Sequence, residues 1–405
     1  MDSDAPKSLI EHFSILEDPR DPSKCRHKLI EIVVIAIAAV LCGADNLTSI
    51  EAFGKAKIAW FRRFLELENG IPSHDTFGRV FALLEPTAFQ ACFRAWIDAV
   101  RTLYEDEVIA VDGKALRRTH NRKAGLGALH MVSAWATRNG LVLGQRATDA
   151  KSNEITAIPE LLEVLMLKGC IVTIDAMGCQ KKIAQQIIDQ GGDYVLALKG
   201  NQGKLAEQVE EAFIDADAKD YNDMPMDFHE TNERGHGRVE TRRYWTLGDL
   251  DGIGEAKHWA GLDTIGMVQA IRECDGKTSS EYRFYIASTG NDAKRFANAV
   301  RSHWGVENNL HWSLDIAFRE DDSRLRERNA AENAAVLRHI ALGLLTNDTS
   351  TKLGIKNKRL KAGWDESYLA KPLFPRYYAS SQNSRTHRRW RSGCGRHGRR
   401  SESRR

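Results

Sequence analysis

Apolar residues recur at helical spacing through the first hundred positions and at strand spacing through the next hundred. The run from Ile32 to Ala44 is thirteen residues long and predicts a buried core helix over Leu29 to Cys42. A helix needs about twenty apolar residues to cross a bilayer, so this run is too short to span one. Asp45 and Asn46 are good N-caps, and behind them Leu47, Ile50, Phe53, Trp60, Phe61, Phe64 and Leu65 extend a helical stripe. Lys55, Lys57, Arg62 and Arg63 lie among these positions. A cap at Ser73 or Asp75 predicts a further helix, and Pro86 opens another in its first turn. Residues 8–104 therefore predict an all-α N-terminal domain. Its basic faces are candidates for DNA contact, with a merely solvated face as the simpler alternative.

The periodicity changes at Val108. VIAVDGK, LHMVSAWAT and LVLGQRAT read as three consecutive antiparallel strands, the last two joined at Arg138-Asn139-Gly140, where Asn-Gly is a strong hairpin signal. Ser152 or Asn153 can cap the helix ITAIPELLEVL, which leads to the strand CIVTIDAMG, the helix QKKIAQQIIDQ closed by Gly191-Gly192, and the strand DYVLALKG. The order β-β-β-α-β-α-β resembles that of a ribonuclease H-like core, a likeness that draws on known folds as well as on the pattern. Residues 201–290 interrupt it with a polar helix from Lys204 to Phe213 and three β-rich stretches, HGRVETRRYWTL, IGMVQAIREC and EYRFYIAST. These predict an inserted sheet or a side domain. Helical patterns resume in RFANAVRSHWGVENNLHWSLDIAF and AENAAVLRHIALGLL, closing a second unit over 105–350. The fold class expected is α/β: a ribonuclease H-like core with a β-rich insertion at about 201–290, behind an all-α domain.

Charge changes the picture at one end. The chain carries a formal +3, but residues 376–405 alone hold ten arginines against Glu402, for a net +9, leaving the rest at −6. A near-neutral body with an arginine tail localises any nucleic-acid contact to a face or an appendage. Residues 351–405 read as a basic C-terminal segment whose tail, from 376, loses apolar pattern and is expected to be disordered. The tail would either strengthen DNA binding or be an altered C-terminus. Seven scattered cysteines without a CxxC pair fit a reduced compartment, and no secretion signal is legible at the start, so a cytoplasmic location is expected.

Two aspartates stand out chemically. Asp112 ends the first strand and Asp175 the first strand after the meander, which brings both carboxylates to one edge of adjacent strands. Facing carboxylates repel unless a cation lies between them, and hard oxygen donors suit magnesium or manganese. Asp is also a common turn residue at strand ends, so this pair alone leaves a structural role open. His303, Glu307, His311 and Asp315 recur every four positions, on one helical stripe flanked by Trp304 and Trp312. A buried polar network and zinc ligation are alternatives for that stripe, though the HExxH spacing of zinc peptidases is absent. Glu307 against the two aspartates would complete an oxygen-rich site for a two-metal phosphoryl transfer.

VIAVDGKALR, LHMVSAWA, KSNEITAIPELL, IVTIDAMGCQ, DYVLALKGNQ, HGRVETRRYW and SHWGVENNLHWSLDIAFREDDSR occur in this order, and together they resemble the DDE insertion-sequence transposases, specifically the group with the H-repeat-associated proteins. The resemblance covers roughly residues 8–370. It implies that Asp112, Asp175 and Glu307 are the catalytic, metal-holding D, D and E, with two Mg2+ or Mn2+ ions, Asp112 bridging both. It also implies double-stranded DNA as substrate, both terminal inverted repeats and target, a homodimer holding two ends in a synaptic complex, and no membrane partner. When on DNA the protein would be associated with the bacterial nucleoid. Around the Glu, the broader family pattern Y-x2-R-x3-E-x6-K is replaced here by Val300, His303 and Leu314, whereas Arg301, Trp304 and Val306 fit the looser R-x-x-W-x-V/I-E spacing. Further candidates for DNA contact are Lys114 and Lys199 near the aspartates, Arg238 and Arg242 on one strand face with Arg243 on the other, and Arg301 and His303 beside Glu307. A nuclease that cuts without joining, or an inactive DNA-binding remnant, remain as alternatives to a working transposase.

Overall fold

Twelve of the thirteen residues in the helix Leu29–Leu41 (α2) are buried, so it is apolar all round and needs covering on every side. The structure, a computed structural model, describes residues 9–102, 104–120, 127–148, 154–221, 224–235 and 237–374. The expected helix cap at Ser152 or Asn153 and the arginine tail fall outside these residues. Leu9–Phe13 (α1) and Leu47–Ala56 (α3) pack on α2, and His74–Leu83 (α5) and Pro86–Val100 (α6) pack in turn on α3 and α1. The stripe expected to continue through Leu65 breaks at Lys57, which ends α3 and starts the short helix Ile58–Phe61 (α4). Asn46 and Ser73 are the N-caps, accepting from the amides of Ser49 and Thr76.

The covering of α2 is completed from far along the chain. Arg328–Asn347 (α12) packs on α2, α5 and α6, and Asn333, fully buried, donates to the terminal carbonyls of Phe81 and Leu84. One apolar core therefore runs without interruption from Leu9 to Phe374. The basic C-terminal segment contributes to it as well. Lys358, on Ile355–Trp364 (α13), donates to the carbonyls of Leu345 and Asp348. Arg359 donates to Val40 O at the end of α2, to Ala317 O and to Asp45, and lies 4.1 Å over the Phe318 ring. A guanidinium on buried helix-terminal carbonyls satisfies groups that otherwise have no partner. Arg359→Met should therefore cost about 2–4 kcal/mol, because it orphans these acceptors in the interior. The check is a lower urea midpoint, against an unchanged one for the exposed Lys356→Met.

The β-β-β-α-β-α-β order is present: Glu107–Leu116 (β1), Leu129–Ala136 (β2), Leu141–Thr148 (β3), Glu154–Glu163 (α7), Cys170–Ile174 (β4), Lys181–Asp189 (α8) and Asp193–Leu198 (β5). β1 is antiparallel to β2 and parallel to β4, and β4 is parallel to β5. Gly140, at φ +62°, makes the β2–β3 turn, while Asn139 bonds both polar backbone atoms of Thr102 and the Glu107 carboxylate.

The insertion is not a separate sheet. After Gly203–Ala218 (α9) come Met226–Gly235 (β6), Arg238–Leu247 (β7), Thr264–Cys274 (β8) and Lys277–Ala287 (β9), and β9 pairs antiparallel with β5. The result is one mixed nine-stranded sheet of order β3-β2-β1-β4-β5-β9-β8-β7-β6. β6, MDFHETNERG, has no apolar alternation and was not among the expected strands. Ala293–Gly305 (α10) then crosses the sheet face, in contact with β1, β4, β5, β6 and β7. Among the described residues no helix is long and apolar enough to cross a membrane.

Candidate active site

The parallel register of β1 and β4 ends at Val111 opposite Ile174, which sets Asp112 and Asp175 level on adjacent strands. Asp112 is not the last residue of its strand. β1 continues to Leu116 against β2, with Asp112 opposite Ser133, so Asp112 lies where β4 stops and leaves that side of β1 open. Its Oδ1 accepts from the Gly113 amide at 2.8 Å. Gly113 leaves room for a neighbour: a Cβ there would fall 2.3 Å from the Glu154 carboxylate, which would have to shift. Asp175 caps the 3-10 turn Ala176–Gly178, accepting through Oδ1 from the amides of Met177 and Gly178. Backbone donors thus fix the direction of that carboxylate before any ligand arrives.

Glu307 comes from a segment that departs from the regular helix expected. Val306–His311 is a π-helical turn between α10 and Trp312–Phe318 (α11). Such turns widen a helix by one residue and occur often at functional sites. The stripe His303, Glu307, His311, Asp315 is consequently divided. His303 Nδ1 lies 3.0 Å from Thr173 Oγ1 on β4, His311 Nδ1 lies 3.7 Å from Asp112 Oδ2, and Asp315 pairs with Lys114 at 2.5 Å. Glu307 is exposed, and it lines one cleft with Asp112, Asp175, His303, Lys199 and Trp304.

Burial lowers the pKa of both histidines, His311 to about 4, with the Lys114 charge adding to the effect, so both imidazoles are neutral near pH 7. No group of three or more His, Cys, Asp and Glu side chains is gathered at metal-ligand spacing among the described residues. The chemistry of the three acids still fits a divalent ion: they are hard oxygen donors on one cleft, with no thiolate among the residues lining it.

Lys114 does not open toward this cleft. Its amino group is held by Asp315 and, at 2.8 Å, by Glu320, which is itself 3.4 Å from Arg338. The phosphate contact expected of Lys114 gives way to an internal network that ties β1 to α11 and α12. A neutral, fully buried His339 adjoins it, held down to about 4 chiefly by burial, with Glu320 opposing and Arg338, His311 and Lys114 reinforcing. Between pH 6.5 and 4 the unfolded chain binds a proton here that the folded chain refuses, so stability falls as pH drops. By pH 5 the loss from His339 should be about 2 kcal/mol. Urea unfolding from pH 7 to 5 should show it, with a slope about one proton shallower in His339→Leu.

Lys199 is exposed on the rim of the cleft. Arg238, Arg242 and Arg301 line a second cleft that shares Trp304 and Glu307 with the first. Arg243 points to the other face of β7 and pairs with Glu230 at 2.8 Å. Sequence reasoning passed over Arg272 and Arg283, which line the second cleft from β8 and β9. The arginine between aromatic residues in EYRFY was the available signal.

Residues 10–97 match the family described as DDE_Tnp_1-associated, and residues 103–344 match the Transposase DDE domain. A "putative protein YbfL" of Escherichia coli K12 is 43% identical over 91% of this chain and 98% of its own. The "H repeat-associated putative transposase YhhI" of the same strain is 42% identical over the same shares. A "putative transposase YncI" of Escherichia coli O157:H7 is 41% identical over 91% of this chain and 94% of its own. The family implies a ribonuclease H-like fold, DNA as substrate and dependence on a divalent metal. With β1, β4 and the turn after α10 bringing three acids to one cleft, and both family matches in sequence order, this chain belongs to the DDE transposases, in the group of the H-repeat-associated proteins.

Proposed function

We propose that this chain cuts DNA at the terminal inverted repeats of its own insertion sequence and joins the freed ends to target DNA. The observation that carries the reading is the convergence of Asp112, Asp175 and Glu307, from three separate elements, on one cleft open to solvent. These three would hold Mg2+ or Mn2+, two ions in the fullest form. When bound, such ions neutralise phosphate charge and activate first water and then the 3′-hydroxyl as nucleophile.

The chain's own residues do the rest. The Met177 and Gly178 amides orient Asp175, and neutral His311 stands beside Asp112 without competing for charge. Lys199, on the rim, offers a point charge to the phosphate next to the scissile bond. Arg238, Arg242 and Arg301 lie in the adjoining cleft, where a phosphate backbone leading to Glu307 would pass. No protein nucleophile is needed. The five strands β1 to β5 and their connections form the ribonuclease H-like core of this reading, and a homodimer would hold the two ends together.

The test is strand transfer. A duplex ending in the element's terminal repeat, with a free 3′-hydroxyl, is incubated with supercoiled plasmid and Mg2+ or Mn2+. Covalent joining of the labelled strand is expected. Cleavage of repeat DNA with no joining under either metal would instead identify a nuclease.

A further inference from the structure

The second cleft carries an oddity that DNA contact alone does not require. Its wall is built from rows across the sheet. Glu233 on β6, Glu240 on β7 and Arg272 on β8 stand directly opposite one another, so two carboxylates face each other across neighbouring strands. Like charges at facing positions are destabilising. Glu240 is also buried, at 6% exposure, in a cleft that would take a polyanion.

Both carboxylates are engaged by the arginines of the wall. Glu240 Oε1 receives Arg238 Nε at 3.0 Å and Arg272 Nε at 3.1 Å, and its Oε2 receives Arg242. Arg242 also reaches Glu233 at 3.2 Å, and Glu233 receives Arg301 from α10 at 2.8 Å. One buried acid thus orders three guanidiniums, and Arg242 links them to the fourth. A fifth, Arg283, lies 4.6 Å from the Trp304 ring centre, between this cleft and the catalytic one. Each guanidinium has five N–H donors, and the carboxylates occupy only part of each set.

We infer that Glu240 is a positioning residue for DNA: it fixes Arg238, Arg242 and Arg272 as a preset clamp for the phosphates of the strand entering the catalytic cleft. The inference rests on the transposase reading above and adds to it which residue organises the contact. A long flexible arginine loses rotamer freedom when it grips a phosphate, and a clamp set in advance loses less. The negative charge of Glu240 opposes DNA binding in direct electrostatics, but its removal would release three side chains.

The two effects have opposite signs, which makes the inference testable. Affinity for a fluorescein-labelled duplex carrying the terminal repeat is measured over a NaCl series, without metal, for the wild type, Glu240→Gln, Glu240→Asp, Arg272→Gln and the surface control Lys182→Gln, which lies on α8 outside both clefts. Glu240→Gln removes one negative charge yet should weaken binding at least about fivefold and reduce the salt slope by roughly one phosphate contact, about 0.9. Glu240→Asp should recover most of the loss. Arg272→Gln should weaken binding and lower the slope, with Lys182→Gln matching the wild type, and this pair tests the clamp even if Glu240→Gln does not fold. Equal or tighter binding by Glu240→Gln, with wild-type melting behaviour, would overturn the inference while leaving the function standing. Arg272→Gln behaving like Lys182→Gln would also overturn it. Strand cleavage by the wild type, measured alongside, separates this outcome from failure of the transposase reading itself.

Discussion

Asp175→Asn is expected to keep its fold and lose at least about a thousandfold in strand cleavage. The residue has two separable tasks. Its Oδ1 accepts from the Met177 and Gly178 amides, and an asparagine oxygen can accept the same bonds, so stability should change by less than about 0.5 kcal/mol. The carboxylate charge on the cleft shared with Asp112 and Glu307 is lost in the same step, and with it the hold on a divalent ion. Asp175→Ala removes both and should show the same loss of cleavage with about 1 kcal/mol less stability. Cleavage rates at saturating DNA, set beside urea midpoints for the two variants, check this. An active Asp175→Asn would remove Asp175 from the site.

The second large effect is on stability. Glu320 is buried to 3% exposure between Lys114 of β1 and Arg338 of α12, and Coulombic attraction to both cations lowers its pKa despite burial. Removing Glu320 takes this acceptor from two buried cations, with Asp315 the remaining acid at Lys114, and breaking such a buried pair costs about 3–5 kcal/mol. Glu320→Ala should therefore unfold at a distinctly lower urea concentration. The double variant Glu320→Ala, Lys114→Met should recover part of the loss, because it removes one of the two cations that lost this acceptor. A loss in the double variant equal to the sum of the losses in Glu320→Ala and Lys114→Met alone would show that the pair does not couple.

Much of this was legible locally. The apolar stretch from Leu29, the caps at Asn46 and Ser73, the Asn-Gly hairpin and the alternation through β1 to β5 are each written within a dozen residues. The level placement of Asp112 and Asp175 follows from strand order, so it too could be anticipated. What could not be read depends on partners far apart. The pairing of β5 with β9, which makes one sheet of core and insertion, joins Val195 to Ala287, and no local pattern encodes it. Lys114 meets acids two hundred positions away, which turns a candidate phosphate ligand into an internal brace. Arg359 lies in a segment that the sequence marks only as basic, and its burial comes from the ends of α2 and α11, which are far from it in sequence. The π-helical turn at Glu307 escaped because periodicity assumes a regular helix, and one extra residue per turn breaks that assumption there.

The proposed chemistry is cutting of DNA by three acids on one cleft with a divalent ion. Its most direct test is cleavage of a labelled duplex carrying the element's terminal repeat, in Mg2+, Mn2+ or chelator, by the wild type, Asp112→Asn and Glu307→Gln. The expected result is metal-dependent nicking at the repeat boundary that leaves a 3′-hydroxyl and is abolished by either substitution and by chelator. Binding without cleavage under every metal, or cleavage that survives both substitutions, would contradict it.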